Sequence, residues 1–308
     1  MLEILKNPNF DFLGKAKYFI AMSLALIVGG LGFMLATGVY VGSNAKGYGV
    51  EFSGGTQLIL HFEKTPENDR IRAAVPEATI QTYDVPSKNQ VLVRIAAVDE
   101  GALDQAANNA KAAIAAQYPE NKILESSSEI VGPTVGADLR QKAVQLTVWG
   151  LVFQLLYITW RFGGAIWGAA ATIAVFHDVL VTLAFLAFFK YEITLNIIAA
   201  LLTLVGYSVN DTIVIFDRAR ENLKTKKKDS LAKILNDSLN QTLTRTLISN
   251  GTTFLAVLGL FLFGGEVLRG FGFTMVVGIL VGTYSTVYIA SPIVVWWQNR
   301  QAARVPSA

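Results

Sequence analysis

Residues 205–218 read VGYSVNDTIVIFDR and place Asn210 and Asp211 side by side at the end of an apolar run. Other polar residues stand in comparable surroundings: His177 beside Asp178, Arg245, and the group Asn250, Thr252 and Thr253. An ionisable side chain within a membrane span costs about 2.5–3.5 kcal/mol on insertion scales, so such residues face a bundle interior and mark ion or proton pathways. A carboxylate can exchange a proton while an arginine keeps its charge. Protonation of Asp211 would therefore release Arg245, and a neighbouring histidine such as His177 could pass the proton on through Asp178. The same residues also have a static use, because Asp211 and Arg245 can form a fixed interhelical bond. His, Ser, Thr and Asn side chains likewise join helices, and that reading applies to Asn250, Thr252 and Thr253.

The elements that must position these residues are apolar helices. The chain has 308 residues, of which 52% are hydrophobic and 16% charged. Soluble domains carry about 25% charged residues, and the mean hydropathy here is +0.43. Six runs are long enough to cross a bilayer: 19–41, 143–160, 165–189, 193–216, 242–264 and 267–297. They lack the polar stripe of a soluble core helix. The last is longer than a span needs, so part of it is expected at the membrane interface. The first is too long for the apolar part of a signal peptide and is expected to be a retained helix. Asp211 lies five residues before the end of the fourth run and Arg245 three residues into the fifth. At 1.5 Å per residue their depths are about 8 and about 5 Å from the same surface, which makes a pair between them geometrically reasonable.

Charge distribution sets orientation. Lys6, Lys15 and Lys17, Arg161, the group Arg218, Arg220, Lys224, Lys226, Lys227, Lys228 and Lys233, and finally Arg300 and Arg304 all fall on one side of six crossings. Only Lys190 and Arg269 occupy the two short turns opposite. Positive charge marks cytoplasmic loops, so both termini are expected in the cytoplasm. Residues 217–240 contain LAKILNDSL at helical spacing and are expected to form an amphipathic helix on the membrane surface, its lysines near anionic lipid. The net charge of +3 gives no argument for nucleic acid, and the absence of cysteine excludes a disulfide framework and thiolate metal sites.

One long loop, 42–138, lies on the outer side and is large enough to be a domain. A strand is expected in VEFSGGTQLILHF (50–62), a short helix over 65–75, strands over 78–85 and 90–98 joined by a turn at PSKN, an alanine-rich helix over 99–118, and a last strand over 126–135. That order is βαββαβ, the ferredoxin-like pattern. The fold class is thus an α-helical polytopic membrane protein of six transmembrane helices with a ferredoxin-like α+β exported domain between helices one and two. Its domains are 1–41 (N-terminus and first helix), 42–138 (exported domain), 139–297 (helices two to six, with a cytoplasmic loop at 217–241) and 298–308 (cytoplasmic tail).

Four segments, GVEFSGGT (49–56), HDVLVTL (177–183), VGYSVNDTIVIFDRAREN (205–222) and LTRTLISNGTT (243–253), resemble the signature segments of the SecF family. SecF is the smaller half of the SecDF component of bacterial protein export and is related to the RND-type transporters. The resemblance covers nearly the whole chain. It implies that SecD supplies six further spans, and that the complex works beside the SecYEG channel, with YajC as a further partner, on translocating preprotein. It also implies use of the proton-motive force, with sodium as the alternative ion, no cofactor, and residence in the bacterial inner membrane. The membrane carboxylate and the arginine of the family's proposed proton path fall on Asp211 and Arg245, with Asn210 adjacent. A further aspartate of that path comes from SecD and is not on this chain. His177, Asp178, Thr252 and Thr253 stand as relay or helix-packing residues.

Three rival functions have different signatures. An intramembrane aspartyl protease could use Asp178 and Asp211 as two carboxylates sharing a proton, but G-x-G-D is absent and Asn210 precedes Asp211. An RND-type exporter carries two large outer loops and twelve spans, against one and six here. A non-conducting scaffold for the channel would use the same polar residues as interhelical glue.

Overall fold

The structure, a computed structural model, describes residues 8–41, 46–83, 86–96 and 103–302. Lys6 and Arg304, the expected helix start at 99–102 and the strand end at 84–85 lie outside the described residues. The chain divides into two units. One is Gly47–Gln145 together with Glu192–Leu195; the other described residues form the helical unit.

The first unit holds a four-stranded antiparallel sheet built from β1 (Gly55–Phe62), β2 (Thr79–Tyr83), β3 (Gln90–Ile95) and β4 (Ile123–Val131) in the order β2-β3-β1-β4. Helix α3 (Asn68–Ala74) lies between β1 and β2, and α4 (Leu103–Gln117) between β3 and β4. Alternate residues point to one face, so Leu58, Leu60, Phe62, Ile80, Val91 and Val93 are buried together. They meet Ile71 of α3 and Ala107, Ala110 and Ile114 of α4, whose spacing places them on one side of that helix. Each fully buried leucine or phenylalanine there contributes about 1.5–3 kcal/mol. Two boundaries differ from expectation. VEFS is a short helix, α2 (Val50–Ser53), before β1. The last strand runs 123–131 instead of 126–135, because Pro133 opens α5 (Pro133–Phe162), a position where its missing N–H leaves nothing unsatisfied.

The helical unit contains α1 (Phe12–Thr37), most of α5, α6 (Ala165–Phe188), α7 (Leu195–Thr225), α8 (Leu231–Phe263), α9 (Gly265–Ser285) and α10 (Ser291–Ala302). A π-helical turn, Thr286–Ala290, joins α9 to α10. Among the described residues, six helices are long and apolar enough to cross a membrane, α9 and α10 counting as one continuous element, Val267–Gln301. Half or more of the apolar window is buried in α6, α7 and α9–α10, against 11% or less in α1, α5 and α8. The bundle is therefore closed around three elements and open along the others. Gly278 of α9 sits against Leu204 of α7, and Gly282 against Ser208, so the small-residue spacing brings these two helices together. Gly206 is exposed, with open space over it.

Residues 217–240 do not form a separate surface helix. They are the ends of α7 and α8 in a helical hairpin. Arg218 Nε donates to Gln241 Oε1 (2.6 Å), Asn222 Nδ2 to Ser238 Oγ (2.8 Å), and Lys226 pairs with Asp237 (2.6 Å). The apolar spacing fits a membrane-facing stripe, yet Ile234, Leu235 and Leu239 are buried within the protein. Asn236 and Asn240, one turn apart on α8, hold the backbone that leads into α1. Asn240 Oδ1 accepts from Phe10 N (2.8 Å) and Asn236 Oδ1 from Phe12 N (2.9 Å), and both side-chain amides donate to Phe10 O (2.9 Å each).

Candidate functional site

Asp211 lies on the buried side of α7, 6% exposed. Its direct partner is Asn250 of α8, whose Nδ2 donates to Oδ2. The same amide donates to Thr283 Oγ1 of α9 (2.7 Å), and Tyr207 OH donates to Asn250 Oδ1 (3.0 Å). The carboxylate is thus tied through one neutral amide to two other helices.

Arg245 does not make the expected bond. Among the described residues no ion pair within 4 Å involves it or Asp211, although it lies close enough to act on the carboxylate through space. The reason is helical phase: five residues separate Arg245 from Asn250, which is about 500°, or 140° around the helix. With Asn250 turned inward, Arg245 is exposed. Asn210, one residue before Asp211, is exposed on α7 in the same way.

A second network surrounds Asp178, which is fully buried. Its Oδ2 accepts from Ser208 Oγ of α7 (2.5 Å) and Ser285 Oγ of α9 (2.9 Å), and its Oδ1 lies 2.9 Å from His177 Nδ1. His177 Nε2 is 3.2 Å from Tyr284 OH, which is 3.1 Å from Ser23 Oγ of α1. With its proton on Nδ1, His177 donates to Asp178 and accepts from Tyr284. The chain Ser208–Asp178–His177–Tyr284–Ser23 crosses four helices at mid-span. It ends at Ser23, which is buried.

The two networks meet on consecutive residues of α9 and the turn after it. Thr283 binds Asn250, Tyr284 binds His177, Ser285 binds Asp178, and Thr286 binds Thr212 of α7 (3.1 Å). Immediately beyond is the π-turn at 286–290, a feature often found at functional sites. On α7, Ser208 serves one carboxylate and Asp211, one turn further, is the other.

Thr252 and Thr253 join neither network, since their hydroxyls bond to carbonyls of their own helix, Ile248 and Ser249. Asp178 and Asp211 keep separate sets of partners, and each is held by its own donors. That is not the shared-proton pair an aspartyl protease needs. Nothing in the sequence singles out Ser208, Ser285, Tyr284, Ser23, Thr283 or Tyr207, and for Asn250 it suggests only helix packing. Small hydroxyl residues are ordinary in spans, so nothing distinguished these before their neighbours were known.

A bundle of apolar helices with buried carboxylates at mid-span fits a multi-pass membrane protein. A profile described as "Protein export membrane protein SecD/SecF, C-terminal" matches residues 110–300. The protein translocase subunit SecF of Calditerrivibrio nitroreducens is 40% identical over 301 residues, covering 95% of this chain and 96% of that one. SecF of Koribacter versatilis is 35% identical, covering 100% of this chain and 96% of its own. The crystal structure of SecDF from Thermus thermophilus, titled a translocon-associated membrane protein, matches with a TM-score of 0.83 at 37% identity, over 96% of this chain and 39% of that longer chain. The chain belongs to the SecD/SecF family of protein-export membrane proteins, as its signature segments imply.

Proposed function

We propose that this chain works as the SecF half of a SecDF assembly in the bacterial inner membrane, with both termini cytoplasmic. Together with SecD it couples the proton-motive force to late steps of preprotein translocation beside SecYEG, with YajC as an accessory partner. The sheet-bearing unit is the ferredoxin-like exported domain, a reading supported by its βαββαβ order and its antiparallel β2-β3-β1-β4 sheet. The protein performs no covalent chemistry and needs no cofactor; the ion moved is a proton, taken up at Asp211.

One observation carries the reading. Asp211 is buried against a single neutral amide, while Arg245 and Asn210 stand exposed on the open faces of α8 and α7. An arginine left in lipid is unfavourable, so those faces meet a protein surface that completes the site. The SecDF relatives, in which one chain is more than twice as long as this one, support SecD as that surface.

The test is secretion of a preprotein by the chain reconstituted with SecD, with and without a proton gradient, and with a sodium gradient as a separate arm. Asp211→Asn and Arg245→Met are expected to abolish the gradient-dependent share while the complex still assembles. If both variants secrete like the parent, Asp211 and Arg245 have no part in coupling and the scaffold reading replaces this one. Stimulation by sodium alone would reassign the ion.

A further inference from the structure

A threonine buried in a helix has an easy partner, because its hydroxyl can turn back to a carbonyl three or four residues earlier. On α8, Thr242, Thr252 and Thr253 all do so. Thr246 does not. It is 5% exposed, and among the described residues its Oγ1 has no hydrogen-bond partner. A buried hydroxyl left in that state costs about 1–3 kcal/mol, so it points to a group that completes it.

Its place in the bundle says which group. Thr246 and Asn250 are four residues apart on α8, about 400° of helix, and so lie about 40° apart on one face. Helices α7 and α8 run antiparallel. Lys226 meets Asp237, Asn222 meets Ser238 and Arg218 meets Gln241, while Tyr207 and Asp211 both meet Asn250. That register places Thr246 toward α7 beside Asp211, about 6 Å nearer the hairpin turn than Asn250. One turn beyond Asp211 on α7 is Ile215, which is buried and apolar and offers a hydroxyl nothing. Asp211 does offer something: among the described residues Asn250 is its one donor, and a carboxylate has room for about four.

Thr172 and Thr182 of α6 also carry buried hydroxyls without a partner among the described residues. Thr182 stands one turn from Asp178, but that carboxylate already accepts from Ser208, Ser285 and His177. Only at Thr246 does an unsatisfied hydroxyl stand beside an undersupplied carboxylate. The two groups make no direct bond. One water joined to both would have the two polar partners that a buried water needs.

We propose that Thr246 is a positioning residue whose hydroxyl holds the water through which Asp211 releases its proton toward the hairpin turn. The inference rests on the reading of Asp211 as the proton carrier, and with the turn cytoplasmic it assigns the inner half of the path. In the step, the O–H bond of protonated Asp211 breaks and its proton binds the water oxygen. The hydronium so formed gives a proton to the next solvent molecule and is left as neutral water. The Thr246 hydroxyl ends as it began; it fixes where the water's lone pair points.

The experiment uses the full chain reconstituted with SecD. Infrared difference spectra across a pH step are recorded in ordinary and in heavy-oxygen water, and gradient-dependent secretion is measured on the same preparations. The parent is compared with Thr246→Val, Thr246→Ser and Asp211→Asn. A water O–H band that shifts with heavy oxygen is expected in the parent and in Thr246→Ser, and is expected to be lost in Thr246→Val and Asp211→Asn. The gradient-dependent share of secretion should fall about three- to tenfold in Thr246→Val, the worth of one hydrogen bond, and Thr246→Ser should restore it to within about twofold. Thr246→Ala replaces the valine variant if that one fails to copurify with SecD; failure of both makes the hydroxyl a packing group and overturns the proposal. A water band unchanged in Thr246→Val, or a share that serine does not restore, also overturns it. So does a parent without a water band whose Asp211 carboxyl band shifts in Thr246→Val, since that is direct contact. If Asp211→Asn blocks the share and Thr246→Val is silent in both readouts, the water is wrong and the Asp211 reading stands. If Asp211→Asn leaves secretion unchanged, the Asp211 reading fails and the proton-release role falls with it, whatever the water band shows.

Discussion

Replacing Asp178 by alanine removes the acceptor of three donors on three helices. Ser208, Ser285 and His177 all direct hydrogen to its two oxygens, and none of the four residues is more than 6% exposed. Two of the three bonds, from Ser208 and Ser285, run between helices; such bonds in membranes average about 0.6 kcal/mol each and reach about 1.7, which bounds the loss between about 1 and about 3.5 kcal/mol. Ser285 has a fallback, since its hydroxyl also reaches Gly282 O (3.1 Å), and that moves the expectation to the lower half, about 1–2 kcal/mol. Asp178→Asn should lose less than half as much, because its amide oxygen still accepts from both serines. The measurement is reversible unfolding of the full chain in mixed micelles, parent against both variants. A loss under about 0.5 kcal/mol in the alanine variant, or equal losses in the two, would show that the network does not hold the helices and would remove the argument built on it.

Gly54 has a φ of +72°, and a Cβ there would come 2.8 Å from Pro133 Cα. Gly54→Ala should therefore displace the start of α5 and lower the yield of protease-resistant chain severalfold, whereas Gly29→Ala, where nothing lies within 4 Å, should not. The paired change Asn236→Ala and Asn240→Ala should free the backbone before α1, seen as faster amide exchange at Phe10 and Phe12 by about tenfold, with little change in β1. For Glu51 the sign follows from its raised folded value. Below its ordinary value of 4.5 both states are protonated, and above it the folded state retains the proton longer. The stability contributed by this group is therefore greatest below 4.5 and is lost as pH rises through the folded value. Glu51→Gln should remove that slope from a pH series of unfolding midpoints.

The membrane helices were legible because lipid demands long apolar runs and leaves few other solutions. The strands of the sheet were legible because Leu58, Leu60 and Phe62 alternate with half-buried residues. Boundaries set by single residues were less so: Pro133 ended the last strand early, and VEFS became a helical turn. The charge-rich segment at 217–240 misled because its apolar spacing fits a membrane surface as well as a second helix, and only the contacts of Asn222 and Lys226 decide between them. Within the site, burial and type singled out Asp211, Asp178 and His177. The partner of Asp211 was not legible, because equal depth made Arg245 reasonable and only helix phase favours Asn250. The bridge of Tyr48 with Ile193 pairs residues more than 140 positions apart, and no local pattern announces that.

The wide turn at 286–290 carries one residue more than an α-helical turn would hold, so the helix before it and the helix after it are out of step by about 100°. The residues on its near side are clamped by Asn250, His177, Asp178 and Thr212. A narrowing of that turn would rotate α10 by about 100° and lengthen the element by about 1.5 Å, which would carry the buried Ile289, Ala290, Ser291 and Val294 out of their present places. The extra residue of the turn thus fixes which side chains the last helix presents inward, Ala290 and Val294 among them.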